Sequence, residues 1–343
     1  MTGGIHVGVV GVGRIGAFHA LTLAALEDVE RLTVVDDDTE RASSLATALG
    51  AETRESPEAL VAAGVDALVV ATSTPAHAPL LSLAAGADIP AFCEKPVALE
   101  LDVIDAVAAE VDRAGIVVQV GFQRRFDAGY VAARDAVASA KLGRLLLLRA
   151  ATHDPVPPAG EYIAASGGIF RDLHIHDFDA IRFVTGQEVT EVYADGAVRE
   201  TPWFEDYGDV DAAATVLRLA DGTLAVLTGT RHDPLGYDVR LEVFGTQDSI
   251  AVGVDGRTPL RSVEPEAPCA AADGYRDFLD RFDGAYRDEL EAFVTVVRQG
   301  GPSACTLADA RAALSVALAA GRSRAERRPV SIEEVTSAEA VRG

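Results

Sequence analysis

Ile5-His-Val-Gly-Val-Val-Gly-Val-Gly-Arg-Ile-Gly16 decides the fold. An apolar run of strand length enters a turn with glycines spaced G-x-G-x-x-G, and a helical pattern follows over residues 14–26. In such a strand–turn–helix, Gly11 permits the tight turn and Gly13 lets a pyrophosphate approach the backbone. Gly16 lets the helix pack on its strand. Arg14 and Ile15 open the helix, whose first turn offers N–H donors and positive potential to an anion.

Working outward, strand and helix alternate. Residues 5–11, 32–35, 65–71, 89–93 and 116–122 read as strands, and 39–49, 76–85 and 99–114 as helices. This predicts an α/β N-terminal Rossmann domain over 1–123, a parallel sheet with helices on both faces. Asp36 stands about 20 residues past Gly16, where a carboxylate at the second strand's end binds ribose hydroxyls. The run Asp36-Asp-Asp38 opposes a 2′-phosphate, so NAD is expected over NADP, with Arg41 and Arg14 the only nearby compensation. Ligands in such sheets bind beyond the carboxyl ends of the strands. Thr72, Ser73, Thr74 and His77 follow one such end and border the cofactor; His77 reads equally well as a helix-start residue. Glu94 and Lys95 follow another end, and an ammonium there can donate to a substrate oxygen. Lys95 and Lys141 are the only lysines among 30 basic residues, which singles Lys95 out.

Past residue 123 the pattern changes. Helices near 128–140 and 167–184 precede runs of alternating or β-branched character at 144–151, 189–198, 210–219, 223–230, 237–244 and 249–254. Helices at 286–297 and 307–321 follow. Residues 124–343 therefore read as an α+β C-terminal domain with a large, mainly antiparallel open sheet. The 343 residues suit two domains, and no apolar run reaches the roughly 20 residues of a membrane span. No basic-then-apolar leader opens the sequence. Cys93, Cys269 and Cys305 show no paired spacing, which fits a reducing cytoplasm. A net charge of −23 opposes binding to nucleic acid or anionic membrane.

Ser166-Gly-Gly-Ile-Phe-Arg-Asp-Leu-His-Ile-His-Asp-Phe-Asp179 carries the chemistry. Asp172, His176 and Asp179 fall at i, i+4 and i+7, one helical face with roughly 5–6 Å between neighbouring Cβ atoms. Carboxylate, imidazole and carboxylate in a row are costly as packing but suit a site that removes a proton and holds its base in place. His174 and His176 point about 200° apart on a helix, so no metal site is expected.

Gly11–Gly16, Glu94-Lys95-Pro96 and Asp172-x-x-x-His176, in this order, resemble the glucose–fructose oxidoreductase/inositol dehydrogenase/rhizopine catabolism (Gfo/Idh/MocA) family, over almost the whole chain. Residues 120–127, 153–158, 166–179, 236–245 and 278–293 look like its inositol 2-dehydrogenase branch. The resemblance implies NAD-dependent oxidation of a secondary hydroxyl on a cyclic polyol, myo-inositol foremost. Lys95, Asp172 and His176 would be the catalytic set, with His176 the base. It also implies substrate contacts from Gln123, Arg124, His153 and Tyr237, with Arg125 a competitor for the role of Arg124 and packing an alternative for Tyr237, and a homotetramer joined through the open sheet. Asp179 continues the helical face and either binds a second substrate hydroxyl or pairs with an arginine such as Arg182. His153 replaces an expected arginine and Gln123 a methionine or asparagine, which leaves the exact polyol open. Another sugar or inositol isomer is the alternative within the family; a non-catalytic dinucleotide-binding regulator is the alternative outside it.

Overall fold

The computed structural model describes residues 3–266 and 273–340. Its chain forms two compact units, Met1–Gln123 with Gly284–Arg311, and Arg124–Asp283 with Ala312–Gly343. The sequence assigned all of 124–343 to one domain, whereas Gly284–Arg311 returns to the first unit. The cause is apolar: Leu290, Phe293 and Val294 join a buried cluster with Ile5, Val7, Val9, Val34, Val69 and Phe92.

The first unit runs β1 (Ile5–Val10), α1 (Arg14–Ala24), β2 (Val29–Val35), α2 (Thr39–Leu49), β3 (Glu52–Thr53), α3 (Pro57–Ala62), β4 (Ala67–Val70), α4 (His77–Gly86), β5 (Ala91–Glu94), α5 (Leu101–Ala114) and β6 (Val118–Gly121). Its six strands lie in the order β3-β2-β1-β4-β5-β6, all parallel. Every residue of β1, β4, β5 and β6 is buried, as strands covered on both faces require. The order reverses beside β1, and the β1–α1 turn lies at that switch point. The Rossmann expectation is met; β3 and α3 are too short to have been read from periodicity.

The second unit contains α6 (Ala128–Ala138), β7 (Leu145–His153), α7 (Gly160–Ser166), α8 (Ile169–Asp172), α9 (Ile175–Thr185), β8 (Val189–Ala197), β9 (Ala212–Leu219), β10 (Leu224–Thr230), β11 (Asp238–Gly245) and β12 (Ser249–Val252). After α10 (Phe278–Gln299) and α11 (Leu307–Glu326), both of which run across a unit boundary, come β13 (Val330–Ser331) and α12 (Ile332–Ala340). The sheet order is β12-β11-β7-β10-β9-β8-β13, antiparallel except for the β7–β10 pair. Along β9, buried Ala213, Thr215, Leu217 and Leu219 alternate with exposed Ala214, Val216 and Arg218. One face of this strand is packed and the other open.

The parallel pair has a consequence for chemistry. His153 lies opposite Thr230 at the matching ends of β7 and β10, and the next amide, Asp154 N–H, donates to Thr230 O at 2.9 Å. Asp154 and Arg231 therefore leave the sheet side by side.

The helix expected over 167–184 is broken in two. At the break, His174 N–H donates to Ile169 O at 3.0 Å, one residue beyond α spacing, before Phe178 N–H returns to His174 O at 2.9 Å. The His174 ring is fully buried, edge-on to Phe170 and Phe178 with centroids 5.8 and 5.9 Å away. Gly229 makes room for it, since a Cβ there would lie 2.2 Å from His174 Nε2. Cys93 and Cys305 are buried free thiols, and Cys269 lies outside the described residues. Among the described residues no helix is long and apolar enough to cross a membrane.

Candidate active site

In the first unit the glycine turn has the shape a dinucleotide needs. Gly11 adopts φ +87°, and a Cβ there would sit 2.7 Å from Ala71 O. A Cβ on Gly16 would sit 1.9 Å from Gly11 O, so helix and turn close up only on glycine. Around Gly13, by contrast, nothing lies within 4 Å of that position, which leaves the turn open to an approaching ligand. No side chain caps the start of α1, where Arg14 is exposed and Ile15 half-buried. A hollow of about 470 Å³ adjoins the turn, lined by Val12, Gly13, Arg14, Arg41 and Leu45 among others.

Asp36 is fixed at the end of β2. Its Oδ2 accepts Val12 N–H at 2.7 Å, and its Oδ1 accepts Asp38 N–H at 2.9 Å and Arg41 Nη2 at 3.0 Å. Burial pushes its pKa up, but the two amides and Arg41 outweigh that and hold it below the ordinary aspartate value. The carboxylate is thus anionic and oriented, suited to ribose hydroxyls and repellent to a 2′-phosphate. Arg41, the compensating cation the sequence offered, is already paired with Asp36 and lies 3.5 Å from Asp38.

The two later strand ends are braced by histidines. Buried His77 reaches Pro96 O with Nδ1 at 2.8 Å and Thr72 O with Nε2 at 3.0 Å, tying the loop after β4 to the loop after β5. Burial lowers its pKa. Thr72 and Thr74 are half-buried and Ser73 exposed beside it. His19, which the sequence reading passed over, is fully buried with Nε2 2.7 Å from Glu94 Oε1. Glu94 Oε2 in turn accepts Lys95 N–H at 3.2 Å. Glu94 is therefore a brace for the Lys95 backbone, and Lys95 itself is half-buried.

In the second unit, Asp172 ends α8 and His176 lies in the first turn of α9, half-buried. Tyr162 Oη donates to Asp172 Oδ1 at 2.9 Å. Arg231 Nη2 lies 2.9 Å from Asp172 Oδ2, an ion pair rather than a well-aligned hydrogen bond, while its Nη1 bonds Asp154 Oδ2 at 2.9 Å. Arg231 and Tyr162 were invisible to sequence reasoning. The available signal was an arginine directly after a strand that pairs with the strand leading into Asp154.

Other residues expected to touch substrate are placed differently. Asp179 is fully buried and held bidentately by Arg125, with Nε–Oδ2 at 2.9 Å and Nη2–Oδ1 at 2.6 Å. Arg124 is 1% exposed, with Nη1 2.5 Å from Asp177 Oδ1 and Nη2 3.0 Å from Thr152 Oγ1. Both arginines thus anchor α9, and Asp177, passed over in the sequence, is the partner of one. Gln123 is buried. Tyr237 is buried edge-on to Phe282, centroids 6.4 Å apart. His153 is half-buried, its Nδ1 2.8 Å from Thr230 Oγ1. Among the described residues no group of three or more His, Cys, Asp or Glu is arranged to hold a metal ion.

Comparison with known proteins finds similarity in both units. A family model described as an oxidoreductase family with an NAD-binding Rossmann fold matches residues 5–122, and one described as the GFO/IDH/MocA C-terminal domain matches residues 130–251. A myo-inositol dehydrogenase of Streptomyces leeuwenhoekii is 41% identical, the alignment covering 92% of this chain and 96% of that protein. The myo-inositol 2-dehydrogenase of Thermotoga maritima is 36% identical over 96% and 99%. A crystal structure of scyllo-inositol dehydrogenase from Lactobacillus casei, with bound NAD(H) and scyllo-inositol, superposes with a TM-score of 0.87 at 28% identity, covering 96% of this chain and 99% of that one.

His174 gives the site a measurable acid sensitivity. Burial lowers its pKa to about 4, against 6.5 for a free histidine. Below pH 6.5 the unfolded chain takes up a proton that the folded chain refuses, so stability falls as pH drops and levels off near 4. The full effect is at most about 3 kcal/mol. Urea midpoints measured from pH 7.5 down to 4 are expected to decline less steeply in His174→Gln; identical slopes would remove the assignment.

Proposed function

The chain belongs to the Gfo/Idh/MocA oxidoreductase family, and from that premise we propose that it oxidises one secondary hydroxyl of a cyclic polyol with NAD. The substrate is myo-inositol and the product 2-keto-myo-inositol (scyllo-inosose). The observation that carries this reading is the Asp172–His176 arrangement. A carboxylate with a hydroxyl donor on one oxygen and a guanidinium against the other stands four residues ahead of a half-buried imidazole.

NAD, when bound, supplies the hydride acceptor. Gly11, Gly13 and Gly16 with the first turn of α1 hold its pyrophosphate, and Asp36 its adenosine ribose. Thr72, Ser73 and Thr74 border the nicotinamide side, while His77 and Glu94 keep the two loops in shape. His176 accepts the hydroxyl proton as the carbon–hydrogen bond breaks. Asp172 fixes the imidazole and favours its charged form. The Lys95 ammonium donates to the reacting oxygen and so favours its deprotonation. Gln123 and His153 flank the polyol, and their identities tune which isomer is preferred. Arg124, Asp179 and Tyr237 serve that site as a buried scaffold. The similarity to the myo-inositol dehydrogenases makes myo-inositol the substrate of choice.

Homotetramer formation through the open sheet face is part of the same proposal. It is supported by half-exposed Leu146 on β7, Tyr193 on β8 and Val216 on β9. So is a cytoplasmic location, supported by the two buried free thiols.

The proposal is tested by following NADH absorbance with myo-, scyllo- and chiro-inositol, glucose and xylose, each with NAD and with NADP. Turnover is expected with myo-inositol and NAD, with NADP weaker. Confirmed NAD binding without turnover on any polyol would favour a silent dinucleotide-binding regulator. His176→Ala is expected to lose ~10²- to 10⁴-fold in kcat with NAD affinity unchanged; unaltered turnover would remove the base. Light scattering is expected to give four times the 35.8-kDa chain mass, and a monomer would refute the assembly.

A further inference from the structure

We infer that Arg231 is a positioning residue for this reaction, acting through Asp172, with Tyr162 as the second donor that holds the same carboxylate. The inference rests on the reading of Asp172 and His176 given above and extends it to Tyr162, ten residues before Asp172, and to Arg231, far along the sequence.

The geometry begins with the sheet. Because β7 and β10 are parallel and in register at His153 and Thr230, Asp154 and Arg231 emerge together. The Arg231 backbone is pinned there, its N–H donating to Asp211 O at 2.8 Å. Its side chain is 3% exposed and extends one guanidinium nitrogen to Asp154 and another to Asp172, each at 2.9 Å. A planar fork can span two carboxylates in this way, whereas the point charge of a lysine serves one.

Arg124 pairs with Asp177 and Arg125 with Asp179, and both pairs anchor α9. Arg231 instead joins Asp172 on α8 to Asp154 just past β7 and holds the two carboxylates at a fixed separation. A carboxylate fixed in this way is what an imidazole needs beside it when it takes up a proton.

Tyr162 completes the hold. It is half-exposed on the short helix α7, yet its hydroxyl sits on the second Asp172 oxygen. The Asp172 charge, with burial, pushes the phenol well above the ordinary tyrosine value, so it remains a donor. With a hydroxyl donor on one oxygen and an ion pair at the other, the carboxylate is held from two sides, and α8 need not be a long helix to aim it.

The test is a double-mutant cycle on kcat and KM with NAD and myo-inositol. Arg231→Met is expected to lower kcat ~10- to 100-fold with KM for NAD unchanged, and Arg231→Lys to recover part of the loss. In an Asp172→Asn background, adding Arg231→Met is expected to cost almost nothing further, because its effect runs through that carboxylate. Multiplying losses in the two backgrounds, or full kcat in Arg231→Met, would overturn the inference. Tyr162→Phe, at a half-exposed position, provides the same cycle if Arg231→Met does not fold. Its expected result is a several-fold loss alone and none added to Asp172→Asn. An unaltered enzyme that turns over no polyol refutes the proposed function and this inference together; an active one with multiplying losses refutes only the inference.

Discussion

A buried charge must meet an opposite one, and that requirement organises the second unit. Asp172, Asp177 and Asp179 fall within eight residues of one helical stretch, all buried. Stripping the counter-ion from such a carboxylate costs on the order of 3–5 kcal/mol. Each is met from another part of the chain: Asp177 by Arg124, Asp179 by Arg125, and Asp172 by Arg231. Helix α9 is thereby bound to the turn before α6, and α8 to the strand ends of β7 and β10. The site inherits its rigidity from these pairs rather than from helix propensity, since α8 spans only four residues and could not form alone.

The first unit achieves rigidity by exclusion. Gly11 and Gly16 sit where a side chain would collide with backbone, so turn and helix have one way to meet. The polar groups that follow the strands are then tied down individually. Asp36 is gripped by two amides and Arg41, His77 bridges two loop carbonyls, and Glu94 stands between His19 and the Lys95 amide. Polar groups held this way need little reorganisation when charge moves nearby, which is where much of the catalytic advantage of a folded site lies.

Local signals were legible in the amino-acid order, and distant pairings were not. The glycine spacing, the alternation of strand and helix, and the position of Asp36 at the end of the second strand depend on neighbours within a few tens of residues. Short pieces such as α3, α7 and β13 carry too little periodicity to announce themselves. The i, i+4 relation of Asp172 and His176 spans a break in the helix that adds only one residue to the turn. What spacing alone could not decide was which aspartates face a ligand and which face an arginine. Asp179 lies on the expected face, yet Arg125, 54 residues earlier, claims it. Arg231 reaches Asp172 only because two strands pair in parallel, and the return of Phe293 to the first core depends on apolar contact across most of the chain.

His174 and His176 show how environment, not identity, assigns chemistry. Two residues apart, they point to opposite sides of the helical stretch. One is sealed among Phe170, Phe178 and Gly229, where desolvation outweighs the favourable charge of Asp177 and disfavours an imidazolium. It stays neutral through the range in which an enzyme works and packs at the wide turn between α8 and α9. The other begins α9 just past that turn, half-buried, with a braced carboxylate four residues behind it. Burial thus separates a histidine that packs from one that the proposed function makes the base.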